Sequence, residues 1–283
     1  MKISFFTPAS SLPNDSFGGA TFGFIGQENP LVPASVSLPW DIQGILVNGT
    51  YQRCLEAIPD VPYQACIVML GNAGDENAFI RQLSAKVNAP LVGGGAAIHP
   101  ETGASGLITG NTQAALYYIT DPRYEVEICC KNIHEDILGE HCMGFDDARI
   151  LRTIDGVNAA AWLERKKESL NLSADDFEHL TFSDRNGINA HLSNNNGIIH
   201  SGRDLQPKMQ LRYVPKELVF HRMYDFYNDR DAVTFGCAGL KGILPKELHS
   251  QGVGLFLFGE VCTKDGKSEF GNLMLSKLRI VKK

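Results

Sequence analysis

The sequence predicts a mixed α/β (α+β) fold, with mixed, largely antiparallel sheets, flanking helices and two closely packed halves. Many short apolar runs of strand length alternate with only a few amphipathic stretches of helix length, which favours mixed sheets over a barrel. No Pro-rich or Gly/Ser-rich linker and no repeat of solenoid period interrupts the chain. We place the boundary between the halves near Ile154, which gives residues 1–154 and 155–283. Because no linker separates the halves, we expect them to pack closely.

In the first half, residues 17–25 alternate small and aromatic side chains around three glycines. This pattern fits either a glycine-rich hairpin or an extended arm lying over the body. Residues 44–49 and 64–70 are predicted strands, bounded by turn residues. An amphipathic helix is predicted over 75–87 with Asp75 as its cap, and a strand over 91–95 follows. A strand, a helix and a strand at this spacing favour a parallel crossover.

The middle of the chain is richer in short strands. The predicted strands are 114–120, 124–130, 148–154, 177–184, 188–192 and 208–214. Asn158 is the predicted cap of one helix, and Pro215 is the predicted first residue of another that runs to Phe226. We expect the polar residues 134–147 to form a solvated connecting loop, and residues 245–250 to form a short helix.

The carboxy-terminal part contains the most apolar strand. In residues 253–260, alternation puts two leucines on one face and Phe256 and Phe258 on the other, so we expect burial on both faces. Gly259 then allows a turn or a close approach, and Glu260 follows at once. A polar hairpin leads to a second strand over 269–275, which can pair with the first.

Composition limits the classes of partner. The chain has 283 residues, 43% hydrophobic and 20% charged, with a net charge of −6. It has no cluster of Lys and Arg, no apolar run of transmembrane length and no signal-peptide pattern at its start, so we expect no nucleic acid partner and no membrane. Seven cysteines without a CxxC pair favour free thiols in a reducing cytoplasm.

Several motifs follow one another at spacings that resemble one family. They are the Cys237-Ala238-Gly239 turn, the glycine-aromatic run 254–260, Asn272, the glycine-rich strand end 91–97 and the strand-Asp-Gly-helix join within 150–163. In this order they resemble the amino-terminal and carboxy-terminal parts of the FIST sensory domain, over roughly residues 60 to 280. The resemblance implies a stand-alone sensory protein that binds amino acids or similar small metabolites in a cleft between the halves.

Such a sensor implies two kinds of partner, a small-molecule ligand and a downstream signalling protein. The predicted ligand-binding residues are Gly93, Gly94, Gly95, Cys237, Ala238, Gly239, Glu260 and Asn272. We predict that the triple glycine, Cys237 and Glu260 meet in one cleft, because pockets often form at domain junctions. The glycine run is neither a dinucleotide fingerprint nor a phosphate loop, so we expect no cofactor.

Each of these residue types also has an alternative role. Residues 93–95 fit either anion binding through exposed N–H groups or tight packing against another strand. A carboxylate directly after an apolar strand needs a partner, and for Glu260 this is either a ligand amino group or an internal guanidinium, from Arg212 or Arg222. Asn272 either binds a polar end of the ligand or closes a turn.

Cys237 has three interpretations, which are a buried apolar thiol, a pocket-lining thiol and a nucleophile. A nucleophilic cysteine needs a base, and His191, His221 and His249 lie in no recognisable partner motif. The alternative function is therefore a cysteine-dependent hydrolase or transferase using Cys237. The sequence favours binding over catalysis because no acid–base constellation can be assembled from it.

The densest group of metal-type side chains is His134-Glu135-Asp136 with Glu140-His141-Cys142. Its spacing is neither that of the helical HExxH motif nor that of a zinc knuckle. Cys129 and Cys130 are adjacent on a strand, so their side chains point to opposite faces and cannot chelate together. We therefore expect no metal site.

Overall fold

The computed structural model describes residues 2–6, 16–20, 35–71, 74–97, 112–172, 179–243 and 253–283. These residues form three sheets and four α-helices. The predicted mixed α/β class, with mixed and mainly antiparallel sheets, is confirmed. None of the helices in the described ranges is long and apolar enough to cross a membrane. The short helix predicted over 245–250 lies outside the described residues.

The smallest sheet is built from the amino-terminal strands. It contains β1 (Lys2–Phe6), β2 (Ser16–Ala20) and β3 (Ser35–Asp41), in the order β2-β1-β3. Its buried residues Ile3, Phe5 and Leu38 belong to the same apolar cluster as the large central sheet. The rings of Phe5 and Phe235 meet edge to face at 5.7 Å. The start of the chain is thus a small sheet packed on the body, although part of the predicted glycine-rich segment lies outside the described residues.

The central sheet has nine strands and takes them from both ends of the chain. They are β4 (Gly44–Gly49), β5 (Ala65–Leu70), β6 (Leu91–Gly95), β7 (Ala114–Ile119), β8 (Tyr124–Lys131), β17 (Ala232–Cys237), β18 (Val253–Lys264), β19 (Lys267–Gly271) and β20 (Leu275–Lys282). The order is β4-β7-β5-β6-β18-β17-β20-β8, and β19 pairs with β18. The pairs β5–β6 and β17–β18 are parallel, so the predicted crossover from β5 to β6 is confirmed.

The second large sheet comes from the middle of the chain. It contains β9 (Asp136–Asp147), β10 (Ile150–Ile154), β11 (Val157–Asn158), β12 (Leu180–Ser183), β13 (Asn189–Ala190), β14 (Leu192–Asn195), β15 (Ile198–Ser201) and β16 (Lys208–Tyr213). The order is β13-β12-β16-β9-β10-β15-β14, with β11 paired to β10, and every pair is antiparallel. The predicted boundary at Ile154 falls between β10 and β11, within this sheet.

The helices are α1 (Tyr51–Glu56), α2 (Glu76–Lys86), α3 (Ala159–Ser169) and α4 (Lys216–Tyr227), and a short 3-10 helix covers Ala238–Gly242. The Asn158 side chain accepts a hydrogen bond from the Ala161 N–H, which confirms the predicted cap of α3. Pro215 directly precedes α4, where its missing N–H costs nothing. The helix α1, capped by Thr50, was not predicted.

Both faces of the central sheet are buried. Alternate residues of β5 belong to two different apolar clusters, one including the small amino-terminal sheet and the other including α1 and α2. All six side chains of β5 are therefore buried, as the continuous apolar run 65–70 requires. The triple glycine, Cys237 and Glu260 lie on strands in the middle of this sheet.

The prediction of a loop over residues 134–147 is wrong. Residues Asp136–Asp147 form β9, the central strand of the second sheet, which pairs with β16 and β10. Most of its side chains are exposed or half-buried, since the strand is solvated on much of both faces. A strand with polar side chains on both faces lacks the clean period-two pattern that identifies strands in a sequence.

The prediction of burial on both faces for residues 253–260 is wrong for Phe258, which is 44% exposed, whereas Leu255, Phe256 and Leu257 are buried. The pairing of β18 with β6 shifts register between Phe258 and Glu260, and Gly259 has a φ of 72°. This bulge interrupts the alternation, so Phe258 faces outward and Glu260 faces inward.

The prediction of free thiols is wrong for two of the seven cysteines. Cys130 on β8 and Cys262 on β18 form a disulfide, with their Cα atoms 5.4 Å apart. The disulfide therefore links two strands of the central sheet that contact each other without being hydrogen-bonded neighbours. Cys129 is free and exposed, in agreement with the prediction that it and Cys130 point to opposite faces.

Candidate functional site

Three central strands bring the predicted site residues together. Glu260 on β18 lies opposite Gly94 on β6, and Cys237 at the end of β17 lies opposite Leu257 on β18. The side chains of Glu260 and Cys237 are within hydrogen-bonding reach of each other. The triple glycine, the thiol and the carboxyl group are therefore neighbours, at the point where the bulge changes the direction of β18.

The glycine run is packed tightly against its neighbours. A Cβ atom on Gly93 would overlap the backbone carbonyl of Val68, and one on Gly94 would overlap that of Gly259. Gly95 pairs with Leu70 on one side and with Phe258 on the other. These contacts agree with the packing interpretation of the run, because its backbone lies within the sheet and only glycine allows this approach.

Glu260 is fully buried beside this backbone. Its Oε2 accepts a hydrogen bond from the Met274 N–H at 3.3 Å, while its Oε1 has no hydrogen-bond partner among the described residues. Burial raises the pKa of this carboxyl well above 4.5, and hydrogen bonds from Cys237 and Met274 offset only part of that increase. Burial therefore favours the neutral form of this carboxyl group.

Neither of the internal cations considered in the sequence analysis neutralises Glu260. Arg212 donates to Ser183 and to Gln210, and Arg222 forms an ion pair with Asp136 at 3.1 Å. Among the described residues, no Lys or Arg forms an ion pair with Glu260 within 4.0 Å. The carboxyl therefore has hydrogen-bond donors but no positive counter-charge.

The Cys237 sulfur lies among converging backbone N–H groups. The N–H groups of Leu273, Gly239 and Gly259 act on the thiolate as hydrogen-bond donors and lower its pKa. Burial is nevertheless the largest effect and raises the pKa of the thiol strongly, and the charge of Glu260 raises it further. Leu273 has a φ of 55°, which is unfavourable for a leucine.

Tyr227 is a third titratable side chain in the buried group formed by Glu260 and Cys237, and no sequence pattern predicted it. It lies on α4 and is 1% exposed, and its hydroxyl is 2.7 Å from the position that a Cβ on Gly236 would occupy. Burial raises the pKa of Tyr227 strongly, and the charges of Glu260 and Cys237 raise it further. The only sequence feature that could have indicated it is its place on the apolar face of α4, which any packing residue shares.

Asn272 is buried but points away from Glu260. Its Oδ1 accepts a hydrogen bond from the His191 N–H at 3.4 Å, and its own N–H donates to the Asn189 carbonyl at 3.1 Å. Asn189 belongs to β13 of the second sheet, and His191 lies between β13 and β14 of that sheet. Asn272 therefore closes the turn between β19 and β20 and joins the two large sheets, which agrees with its alternative role.

The remaining predicted residues border the site. Ala238 and Gly239 begin the 3-10 helix and are half-buried. In the described part of the chain, the groups that act on the Cys237 thiol are backbone N–H groups and Glu260, and none is a histidine. His191 is half-buried, and the partial burial lowers its pKa, while His249 lies outside the described residues.

The side chains of the metal-type cluster have other partners. His141 Nδ1 lies 2.6 Å from Asp155 Oδ2, and Asp136 pairs with Arg222. Within the ranges that the structure describes, no group of three His, Cys, Asp or Glu residues could hold a metal ion.

Comparisons with known proteins give no independent assignment. No protein-family model matches the sequence, and no curated protein matches it at a significant level.

Proposed function

We propose that this chain is a FIST-type sensory protein that binds a small molecule carrying an ammonium group, such as an amino acid or a similar metabolite, at Glu260. The observation that carries the proposal is the Glu260 Oε1 atom, which is buried and has no hydrogen-bond partner in the described part of the chain. A buried carboxyl oxygen without a partner is costly, and native proteins rarely keep one without a use.

The electrostatics of the site support a cationic ligand group. An ammonium group next to Glu260 favours the ionised carboxylate, whereas burial alone favours the neutral acid. Ligand binding should therefore displace the proton of Glu260 into solution. The Met274 N–H already holds the other oxygen in place, so Oε1 keeps a fixed position toward which a ligand N–H can point.

The site is closed, which suits a sensor. Glu260 is inaccessible and Cys237 is 6% exposed, whereas Ala238 and Gly239, at the start of the adjoining 3-10 helix, are half-buried. Entry of a ligand requires this helix to move away from β18. A downstream signalling protein would recognise the displaced helix, so that ligand binding at a buried site changes the surface of the protein.

The test is a thermal-shift screen of the full chain against amino acids and small amines, followed by isothermal titration calorimetry of any ligand found. Glu260→Gln removes the charge with almost no change of shape and should weaken binding at least tenfold. Glu127→Gln is the control, because Glu127 is exposed and lies on another strand. Calorimetry in buffers of different ionisation enthalpy should show proton release.

Two results would contradict the proposal. If no compound in the screen gives saturable stabilisation, the proposed sensor function is wrong. If Glu260→Gln and the wild-type chain bind the ligand equally strongly, Glu260 is not part of the ligand-binding site.

The alternative function is a cysteine-dependent hydrolase or transferase. The specific observation in its favour is that three backbone N–H groups act on the Cys237 sulfur next to a carboxyl group, which takes the thiol proton in its ionised form. Turnover of activated esters or thioesters that Cys237→Ala abolishes and Cys129→Ala leaves unchanged would support it. The same turnover in both variants would exclude catalysis by Cys237.

A further inference from the structure

A cavity lies where the two large sheets meet, and the buried carboxyl group of Glu260 does not line it. It has a volume of about 280 Å³ and is lined by residues of β8, β16, the turn before β13 and the end of β18. An adjoining cavity of about 190 Å³ shares Asn186 and Lys264 with it. We call the two together the groove. None of the predicted site residues lines it.

Positive charge dominates the larger part of the groove. Lys131, Arg212 and Lys264 line it, against the single carboxylate of Glu135. The Arg212 Nη2 and the Lys264 Nζ are each 3.6 Å from the point that a Cβ on Gly187 would occupy. Two cationic groups therefore flank the same small space beside Gly187, which has a φ of 79°.

Neither cation has an acidic partner in the described part of the chain. Arg212 donates to Ser183, to Gln210 and, at 3.5 Å, to two backbone carbonyls, all of which are neutral acceptors. Lys264 donates to the Asn186 carbonyl at 3.0 Å. Burial lowers the pKa of Arg212, although the charges of Asp184 and Glu135 offset part of this. The guanidinium therefore has only neutral hydrogen-bond acceptors among the described residues, and the nearby carboxylates compensate its charge only in part.

The unused hydrogen-bond donors of Arg212 and Lys264 suit an oxyanion as the ligand group. These bonds leave one N–H of Arg212 Nη2 and two N–H groups of Lys264 unused, all next to the space above Gly187. A carboxylate or phosphate oxygen accepts such bonds most strongly because the donors are charged. It also removes the repulsion between two neighbouring cations.

We propose that the groove binds the carboxylate or phosphate group of a small anionic metabolite, held by Arg212 and Lys264 above Gly187. Glu260, which is proposed to bind the ammonium group, does not line the groove, so the proposal of an anion site does not depend on the proposed sensory function.

The experiment uses inorganic phosphate and succinate as probes, titrated into the full chain and followed by calorimetry and by the NMR shift of the Gly187 N–H. Saturable binding of at least one probe is expected, and the probe that binds tells whether the anion is a phosphate or a carboxylate. Lys264→Gln should weaken binding at least tenfold, and so should Arg212→Gln. Lys282→Gln is the matched control, because it removes the same charge at the far end of β20.

The outcomes separate the two proposed sites. Glu260→Gln should bind the anion as the wild-type chain does, even if the sensory function fails. No saturable binding of either probe, or equal weakening by Lys264→Gln and Lys282→Gln, would overturn the groove site. Lys264 is exposed, so its variant should fold even if Arg212→Gln does not.

Discussion

The backbone N–H of Met274 donates to Glu260 Oε2 at 3.3 Å, while the Met274 side chain lines the groove beneath Arg212 and Lys264. One residue therefore forms a wall of both proposed sites. Because the positive φ of Leu273 fixes the backbone just before Met274, a shift of this turn would alter both sites together.

Glu260→Gln should make the protein more stable at pH 7 to 8. The pKa of Glu260 is raised in the folded chain, so between 4.5 and that raised pKa the folded state binds more protons than the unfolded state. The free energy of unfolding therefore falls as pH rises through this interval, by up to about 1.4 kcal/mol per pH unit. Urea unfolding from pH 4 to pH 8 should show a smaller decrease in the variant. Parallel pH profiles would mean that Glu260 is ionised in the folded protein.

Arg203→Ala should lower the free energy of unfolding by about 3–5 kcal/mol, because it leaves a buried carboxylate unpaired. Arg203 pairs with Asp184 at 3.1 Å and with Glu269 at 2.9 Å, and the side chains of Arg203 and Asp184 are each 1% exposed. The control is Arg152→Ala, which breaks an exposed pair with Asp146 and should cost less than about 1 kcal/mol. Equal costs in denaturant titrations would show that Asp184 finds another partner or water.

Reducing the disulfide between Cys130 and Cys262 should lower the free energy of unfolding by about 2–4 kcal/mol, since the bond spans 132 residues of sequence and restricts the unfolded chain. Unfolding with and without a reductant measures this difference. The double variant Cys130→Ser/Cys262→Ser should not respond to the reductant, whereas Cys129→Ser should respond as the wild type does. A wild-type curve unaffected by complete reduction would contradict the expectation.

Gly94→Ala should destabilise the fold by about 3 kcal/mol or more, because its Cβ would overlap the Gly259 carbonyl and push β6 away from β18. Gly197→Ala is the comparison, since Gly197 has a φ of 86° and open space around it, and should cost about 1–2 kcal/mol from backbone strain alone. Thermal unfolding ranks the two variants. A smaller loss for Gly94→Ala would mean that the sheet relaxes around the added methyl group.

Local sequence patterns predicted the elements whose physical causes are local. The apolar face of α2, the Asn158 cap of α3 and the buried strand β5 each depend on residues a few positions apart, and the structure has them close to the predicted bounds. The polar strand β9 was missed because its neighbours β10 and β16, rather than its own side chains, hold it in the sheet.

The site was predicted only in part for a related reason. Glu260 was singled out because a carboxyl group directly after an apolar strand needs an explanation, and its burial depends on the bulge next to it. Tyr227 and Met274 come close to Glu260 through α4 and the turn before β20, and no short-range pattern indicates such contacts. The linkage of Cys130 to Cys262 is equally remote in sequence.

The position of β18 has a consequence for synthesis on the ribosome. Strand β6 emerges early, but its hydrogen-bonded neighbour on one side is β18, more than 150 residues later. The second sheet uses only residues 136–213 and can pair completely before β17 has left the exit tunnel. The second sheet of the nascent chain should therefore fold first. Until β18 is synthesised, β5, β6 and β7 have an unpaired edge that chaperones would need to cover.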